Sequence, residues 1–211
     1  MFTWIHNCPQ RRDSVKETIA SVQNSDISNW ELWCHYEELK KTKELELWWE
    51  ERLLEAATKS DYFLRLEDDV LVNEHIEENV KNWKALERDD FVLGSLFVLK
   101  GAAFRRFKTE DGQIYTKAVH QLLGQGIVFK SSLVPELVEK IREARRGPLY
   151  FRHNLVDFDT VVARAAHLME KKIFVHDPCL VDGVVGNGKS ALPRDHIDFR
   201  SEGFDLHWIA A

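Results

Sequence analysis

Three consecutive carboxylates, Glu67, Asp68 and Asp69, follow directly on an apolar run in the stretch DYFLRLEDDVLVNEHI, residues 61–76. Tyr62, Phe63, Leu64 and Leu66 read as a short buried strand, and Val70, Leu71 and Val72 resume the apolar pattern. The acids are therefore expected at a strand's end, inside the protein. Adjacent negative charges repel, and burying them without a cation is costly or forces protonation. A bound divalent metal, which takes hard oxygen ligands, removes that cost. The competing reading is a solvated turn whose acids stabilise the start of a helix in VNEHIEENV.

Other groups capable of chemistry are spread along the chain. His6 ends an apolar strand, and Arg11 and Arg12 stand in the loop after it. Planar guanidinium donors there suit paired phosphate oxygens, whereas a histidine at a strand end is more often structural. Asp157 and Asp159, in VDFDT, are acids at the start of a predicted helix, where capping alone can account for them. DGVVGNGKS, residues 182–190, satisfies the G-x-x-x-x-G-K-[ST] spacing from Gly183 to Ser190, but Pro193 interrupts the helix that such a phosphate loop requires. A mobile glycine-rich loop presenting Lys189 to a phosphate fits better. Among seven tryptophans, Trp208 offers an aromatic face that could stack on a sugar ring.

The elements that must position these groups alternate. FTWIH reads as a strand ended by Asn7 and Pro9, and RDSVKETIASVQNS as a helix with Val15, Ile19 and Val22 on one face, capped by Asp13 or Ser14. WELWCHY is a second strand. ELELWWEERLLEAATK is an amphipathic helix with Leu47, Trp48, Leu53, Leu54 and Ala57 as its apolar set. DYFLRL is the third strand. HIEENVKNWKAL then reads as a helix, FVLGSLFVL as a strand, and HQLLGQGIVFK as a strand with Gly124 and Gly126 near its start. SSLVPELVEKIREARR and DFDTVVARAAHLMEKK are helices, and IFVHDPCLV is a last strand running into the glycine-rich loop. Strands alternating with helices predict an α/β fold with a mostly parallel open sheet and helices on its faces, and such sheets bind ligands at their carboxyl ends.

With 211 residues, 44% of them hydrophobic, the chain is expected to form one domain, residues 1–211, around a substantial core. A net charge of −6 gives no global attraction to nucleic acid or anionic lipid, so nucleic acid is not the expected partner, although it is not excluded as an acceptor. No run of about 18 apolar residues predicts a membrane span, and the N-terminus lacks a basic, signal-like segment. Cys8, Cys34 and Cys179 are odd in number and widely spaced, which argues against a disulfide framework or a zinc knuckle and makes the reducing cytoplasm the expected location.

The order of these motifs, NCPQRR after the first strand, TIASV closing a helix, then a hydrophobic strand running into EDD, resembles GT-A type nucleotide-sugar glycosyltransferases. EDD resembles the DXD-like metal motif of that family, in the form best known from N-acetylglucosaminyltransferases. The resemblance implies a single GT-A-like, Rossmann-like domain and transfer of a hexosyl or N-acetylhexosaminyl group from a UDP- or GDP-sugar to a carbohydrate or other hydroxyl acceptor. It implies Mn²⁺ or Mg²⁺ on Asp69 with Glu67, and Glu67 and Asp68 toward the ribose. PCLVDGVVGNGKS resembles the family's C-terminal strand and loop, but departs from it in carrying Asp182 and Gly183 where members often have a histidine ligand, so that the resemblance offers Asp182 as the third metal ligand. VDFDT is similar to the segment bearing the catalytic base of inverting members, which puts Asp157 in that role and Asp159 next. His6, Arg11, Arg12, Gln125, Gly126 and Lys189 complete the nucleotide-sugar set. A weak hydroxyl nucleophile needs such a base, and a departing diphosphate needs such a cation. The alternatives are a sugar-nucleotide nucleotidyltransferase, disfavoured because NCPQRRDS has no glycine, a P-loop phosphotransferase, and a non-catalytic nucleotide-sugar-binding module.

Overall fold

The computed structural model describes residues 1–7, 14–34, 43–98, 106–116, 125–146, 158–183, 201 and 203–210. Within them lie ten strands: β1 (Phe2–Asn7), β2 (Trp30–Cys34), β3 (Tyr62–Glu67), β4 (Val70–Val72), β5 (Phe91–Ser95), β6 (Arg106–Lys108), β7 (Ile114–Thr116), β8 (Gly126–Lys130), β9 (Lys172–Val175) and β10 (Val181–Gly183). The α-helices are α1 (Ser14–Gln23), α2 (Lys43–Ala57), α3 (Ile76–Lys81), α4 (Val134–Arg146) and α5 (Phe158–Leu168).

Eight strands form one sheet in the order β2-β1-β3-β8-β5-β9-β7-β6, and β4 pairs with β10 in a small antiparallel ribbon. Six of the eight run the same way; β8 and β7 oppose them. The expected mostly parallel α/β sheet is thus present, with β8 as an antiparallel seam between β3 and β5. The strand order reverses at β1, which has β2 on one side and β3 on the other.

Both faces of the sheet are covered, so apolar residues of its central strands face both ways rather than alternating with solvated polar ones, although Thr3, His6 and Arg65 are buried among them. Phe2, Trp4, Phe63, Ile127 and Phe129 pack against α2, α4 and α5, while Ile5, Leu64, Leu66 and Val128 belong to the core on the opposite face. This period of two puts Arg65 and Glu67 on the same face as Phe63, and His6 on that of Trp4. α2 is pinned to α4 by Glu50, which is 4% exposed and accepts hydrogen bonds from Arg142 Nε at 2.9 Å and from Arg145.

Three expected elements differ. α2 buries Leu45, Trp49, Leu53 and Ala56, whereas Leu47 is 55% exposed and Leu54 also faces solvent. The helix expected over HIEENVKNWKAL breaks into α3 and a 3-10 turn at Lys84–Glu87, because Trp83 is extended (φ −73°, ψ 105°) and turns its ring under β5. The last strand divides into β9 and β10. Gly94 is where Trp83 comes close: a Cβ there would lie 2.3 Å from the indole Cη2 and 2.5 Å from Cζ3. An aromatic ring that is 8% exposed cannot step aside. Gly94→Ala should therefore destabilise the protein by about 1–3 kcal/mol or more, as overpacked cores do; a urea midpoint equal to wild type would show that Trp83 yields freely.

Candidate functional site

The carboxyl ends of β1 and β3 meet at the strand-order reversal, with His6 directly opposite Glu67 in the parallel ladder. In open α/β sheets of the order 2-1-3 this is the crevice where ligands bind. Asp68 and Asp69 form the two-residue turn joining β3 to β4; Asp68 is fully buried and Asp69 half-buried. α1 holds that turn in place from below. Thr18 Oγ1 accepts from Val70 N at 3.0 Å, and Ser21 Oγ from Val72 N at 2.9 Å, so the amides leaving the turn are fixed by hydroxyls one helical turn apart. Neither hydroxyl stands out in the sequence.

Glu67 meets a cation from its own strand. Arg65, 1% exposed, donates from Nη2 to Glu67 Oε1 at 2.5 Å and approaches His6 Nδ1 at 3.1 Å. Because a guanidinium only donates, His6 Nδ1 accepts, and the 3.5 Å approach of Glu67 Oε2 to the same nitrogen is not a hydrogen bond. The Arg65 guanidinium lies 4.3 Å from the ring centroid of Phe158, the first residue of α5, and 5.8 Å from Trp4. It therefore ties the acidic strand end to the helix that follows Asp157. At Glu67, therefore, the buried charge is compensated by an arginine of the same strand rather than by a metal alone.

Removing that cation should cost stability. Arg65→Met keeps most of the volume but leaves Glu67 without its partner. Since the Glu67 side chain is 22% exposed and partly hydrated, the expected loss is about 2–3 kcal/mol, below the cost of breaking a fully buried pair. Adding Glu67→Gln should restore most of it. Urea denaturation of the single and double variants measures this, and a double variant no more stable than Arg65→Met would mean that the arginine acts through packing alone.

The other predicted residues are distributed as follows. Gln125 and Gly126 open β8 at the same edge: Gln125 O accepts from Glu67 N at 3.1 Å, and Gly126 pairs with Leu66. A Cβ on Gly126 would lie 2.7 Å from Val181 Cγ2, so the glycine lets β10 pack close. Asp182, in β10, is opposite Leu71 of β4, and its Oδ1 accepts from Ser201 N at 2.5 Å. The ribbon brings Asp182 near the acidic turn in the chain's pairing, yet among the described residues no three His, Cys, Asp or Glu side chains converge as a cation cage. The donor set is nonetheless of the hard oxygen type that suits Mg²⁺ or Mn²⁺, ions that often take only one or two carboxylates and complete their shell with phosphate and water. Asp159 lies in the first turn of α5. Arg11, Arg12, Asp157 and Lys189 lie outside the described residues. Gly183, first glycine of the phosphate-loop pattern, ends an antiparallel ribbon strand rather than a central parallel strand.

A feature that sequence reasoning missed stands just past β4. Asn73 and Asn79, both fully buried, clasp the segment 203–210: Asn73 Nδ2 donates to the carbonyls of Asp205 and Trp208 at 2.7 and 3.0 Å, Asn79 Nδ2 donates to that of Trp208 at 2.9 Å, and Asn79 Oδ1 accepts from Ala210 N at 2.8 Å. No described helix is long and apolar enough to cross a membrane.

No protein-family model and no curated protein matches the sequence. Solved structures do match the fold. A glycosyltransferase involved in glycosylation of the major capsid of PBCV-1 superposes with a TM-score of 0.53 at 12% identity, over 84% of this chain and 81% of that one. An active-site mutant of LgtC gives 0.52 at 12% identity, over 88% of each chain. The glycosyltransferase GlyE of Streptococcus pneumoniae gives 0.50 at 7% identity, over 83% of this chain and 45% of GlyE. At these identities the likeness is one of fold, and that fold is the GT-A-like architecture of glycosyltransferases.

Proposed function

We propose that the chain is a glycosyltransferase that moves a hexosyl or N-acetylhexosaminyl group from a UDP- or GDP-sugar to the hydroxyl of a carbohydrate or other acceptor, with inversion, assisted by Mn²⁺ or Mg²⁺. The observation that carries this reading is the acidic turn Glu67–Asp69, at the carboxyl end of β3 beside the strand-order reversal, in a sheet shared with glycosyltransferases. Bound at Asp69, the cation would offset the charge that develops on the departing diphosphate. Glu67, steered by Arg65, would face the nucleotide with Asp68, His6 and Gln125. Arg11, Arg12 and Lys189 would add positive charge toward the phosphates, and Asp157 would accept the proton of the acceptor hydroxyl.

Thermal unfolding in the presence of UDP, GDP or ATP, each with and without Mn²⁺, tests the reading. One nucleoside diphosphate should stabilise the chain only when Mn²⁺ is present, by about 2.7 kcal/mol at a hundred times its Kd. Stabilisation by ATP in preference to both diphosphates would favour a phosphotransferase or nucleotidyltransferase, and no response to any nucleotide would sink the proposal.

A further inference from the structure

A cavity of about 450 Å³ opens beyond the carboxyl end of β9, within the range of small-molecule sites, roughly 300–1,000 Å³. Along the sheet, β9 is three strand spacings from β3, about 14 Å, so the cavity is not the crevice of the acidic turn. Trp83 and Trp208 both line it, and His176 stands between them, 5.0 Å from Trp83 and 5.7 Å from Trp208, edge-on to both. The position of Trp208 is fixed from behind, because its carbonyl is the one that Asn73 and Asn79 share. Such a wall is pre-organised, which lowers the cost of ordering it around a ligand.

The polar groups suit hydroxyls better than phosphates. Asn82, at the end of α3, and Gln113, in the β6–β7 hairpin, bring amides, which can donate and accept, to the opening. Burial depresses the proton affinity of His176, and its Nδ1 lies 2.7 Å from the Pro178 carbonyl. A carbonyl only accepts, so Nδ1 carries the hydrogen and the neutral ring leaves Nε2 as an acceptor. Lys84 and Lys108 are balanced in part by Asp177, and among the described residues the lining holds no arginine fork for a diphosphate. Trp83, 8% exposed and packed under β5, backs the wall, and the half-buried ring of Trp208 supplies its aromatic surface. That surface for the apolar face of a ring, with amides, an imidazole acceptor and a carboxylate for its hydroxyls, is the chemistry of pyranose recognition.

We propose that this cavity is a carbohydrate-binding site for a neutral pyranose residue, separate from the crevice at β1 and β3. It does not depend on donor, metal or transfer.

The test applies the full chain, without nucleotide or metal, to an array of neutral pyranose oligosaccharides, then titrates the best-bound member by calorimetry. Wild type should retain at least one oligosaccharide. Gln113→Ala and Asn82→Ala, which remove exposed or half-buried amides, should each weaken it several-fold, and Trp208→Ala tenfold or more. Saturating UDP with Mn²⁺ should leave the affinity unchanged. Capture of no oligosaccharide, unaltered binding in Gln113→Ala and Asn82→Ala, or competition by UDP with Mn²⁺ would each overturn the proposal. Because the array contains no donor, failure of transfer activity and failure of this site are read separately.

Discussion

Asp69→Asn should abolish Mn²⁺-dependent turnover while leaving the protein folded. Asparagine keeps the size of the side chain and can still accept hydrogen bonds in the turn between β3 and β4. It replaces an anionic oxygen ligand by a neutral amide, a far poorer partner for a hard cation. If the cation supplies several kcal/mol of transition-state stabilisation, kcat/KM should fall by about 10³-fold or more, at 1.4 kcal/mol per tenfold. The nucleotide itself should bind, but its affinity should no longer rise when Mn²⁺ is added. Calorimetric titration of UDP or GDP with and without Mn²⁺ separates the two effects. Undiminished Mn²⁺-dependent affinity in the variant would remove Asp69 from the metal.

The second large effect is expected at Asp157. Asp157→Asn retains shape and loses basicity, so kcat should fall by about 10² to 10⁴, the contribution of a positioned base, with donor affinity near that of wild type. Asp159→Asn should cost much less. Asp159 sits in the first turn of α5, where a carboxylate is accounted for by the helix dipole. NMR of the product's anomeric centre reports the stereochemical course, and retention would rule out a single displacement with Asp157 as base. Near-normal kcat in Asp157→Asn, with inversion, would move the base to Asp159.

Much of the architecture was legible because both of its periods are strong. Phe2, Trp4, Phe63 and Leu64 are apolar on both faces, and Val15, Ile19 and Val22 recur at helical spacing, so β1, β3 and α1 fall where the pattern puts them. The acidic turn was legible for the same reason, since it stands at the end of a strand. What local pattern does not encode is direction: GIVFK reads alike whichever way it runs, and β8 is antiparallel to both of its neighbours. The β6–β7 hairpin escapes local pattern because each strand is only three residues long, although Asp111-Gly112 is a strong turn signal and Gly112 has φ +83°. Arg65 sits inside an apolar strand pattern, yet an arginine two positions before a glutamate on one face of a buried strand is a candidate ion pair. The exposed Leu47 and Leu54 show a different limit. On α2 apolar residues nearly encircle the helix, so the stripe that turns inward, Leu45, Trp49, Leu53 and Ala56, is set by packing against the sheet and α4, with Glu50 tied to Arg142 beside it.

The asparagine clasp bears on how the chain reaches this structure. Asn73 grips carbonyls 132 and 135 residues further along, among the longest-range contacts in the molecule. Closing so long a loop directly is slow and entropically costly. Once β10 has zipped onto β4, however, the open span runs only from Gly183 to Asp205, 22 residues (205 − 183), which cuts the closure cost by about 1.6 kcal/mol. The ribbon should therefore form first and the tail dock second. In pulse-labelled refolding, exchange protection of the Ala210 amide, which donates to Asn79 Oδ1, should trail protection of the β1 and β3 amides.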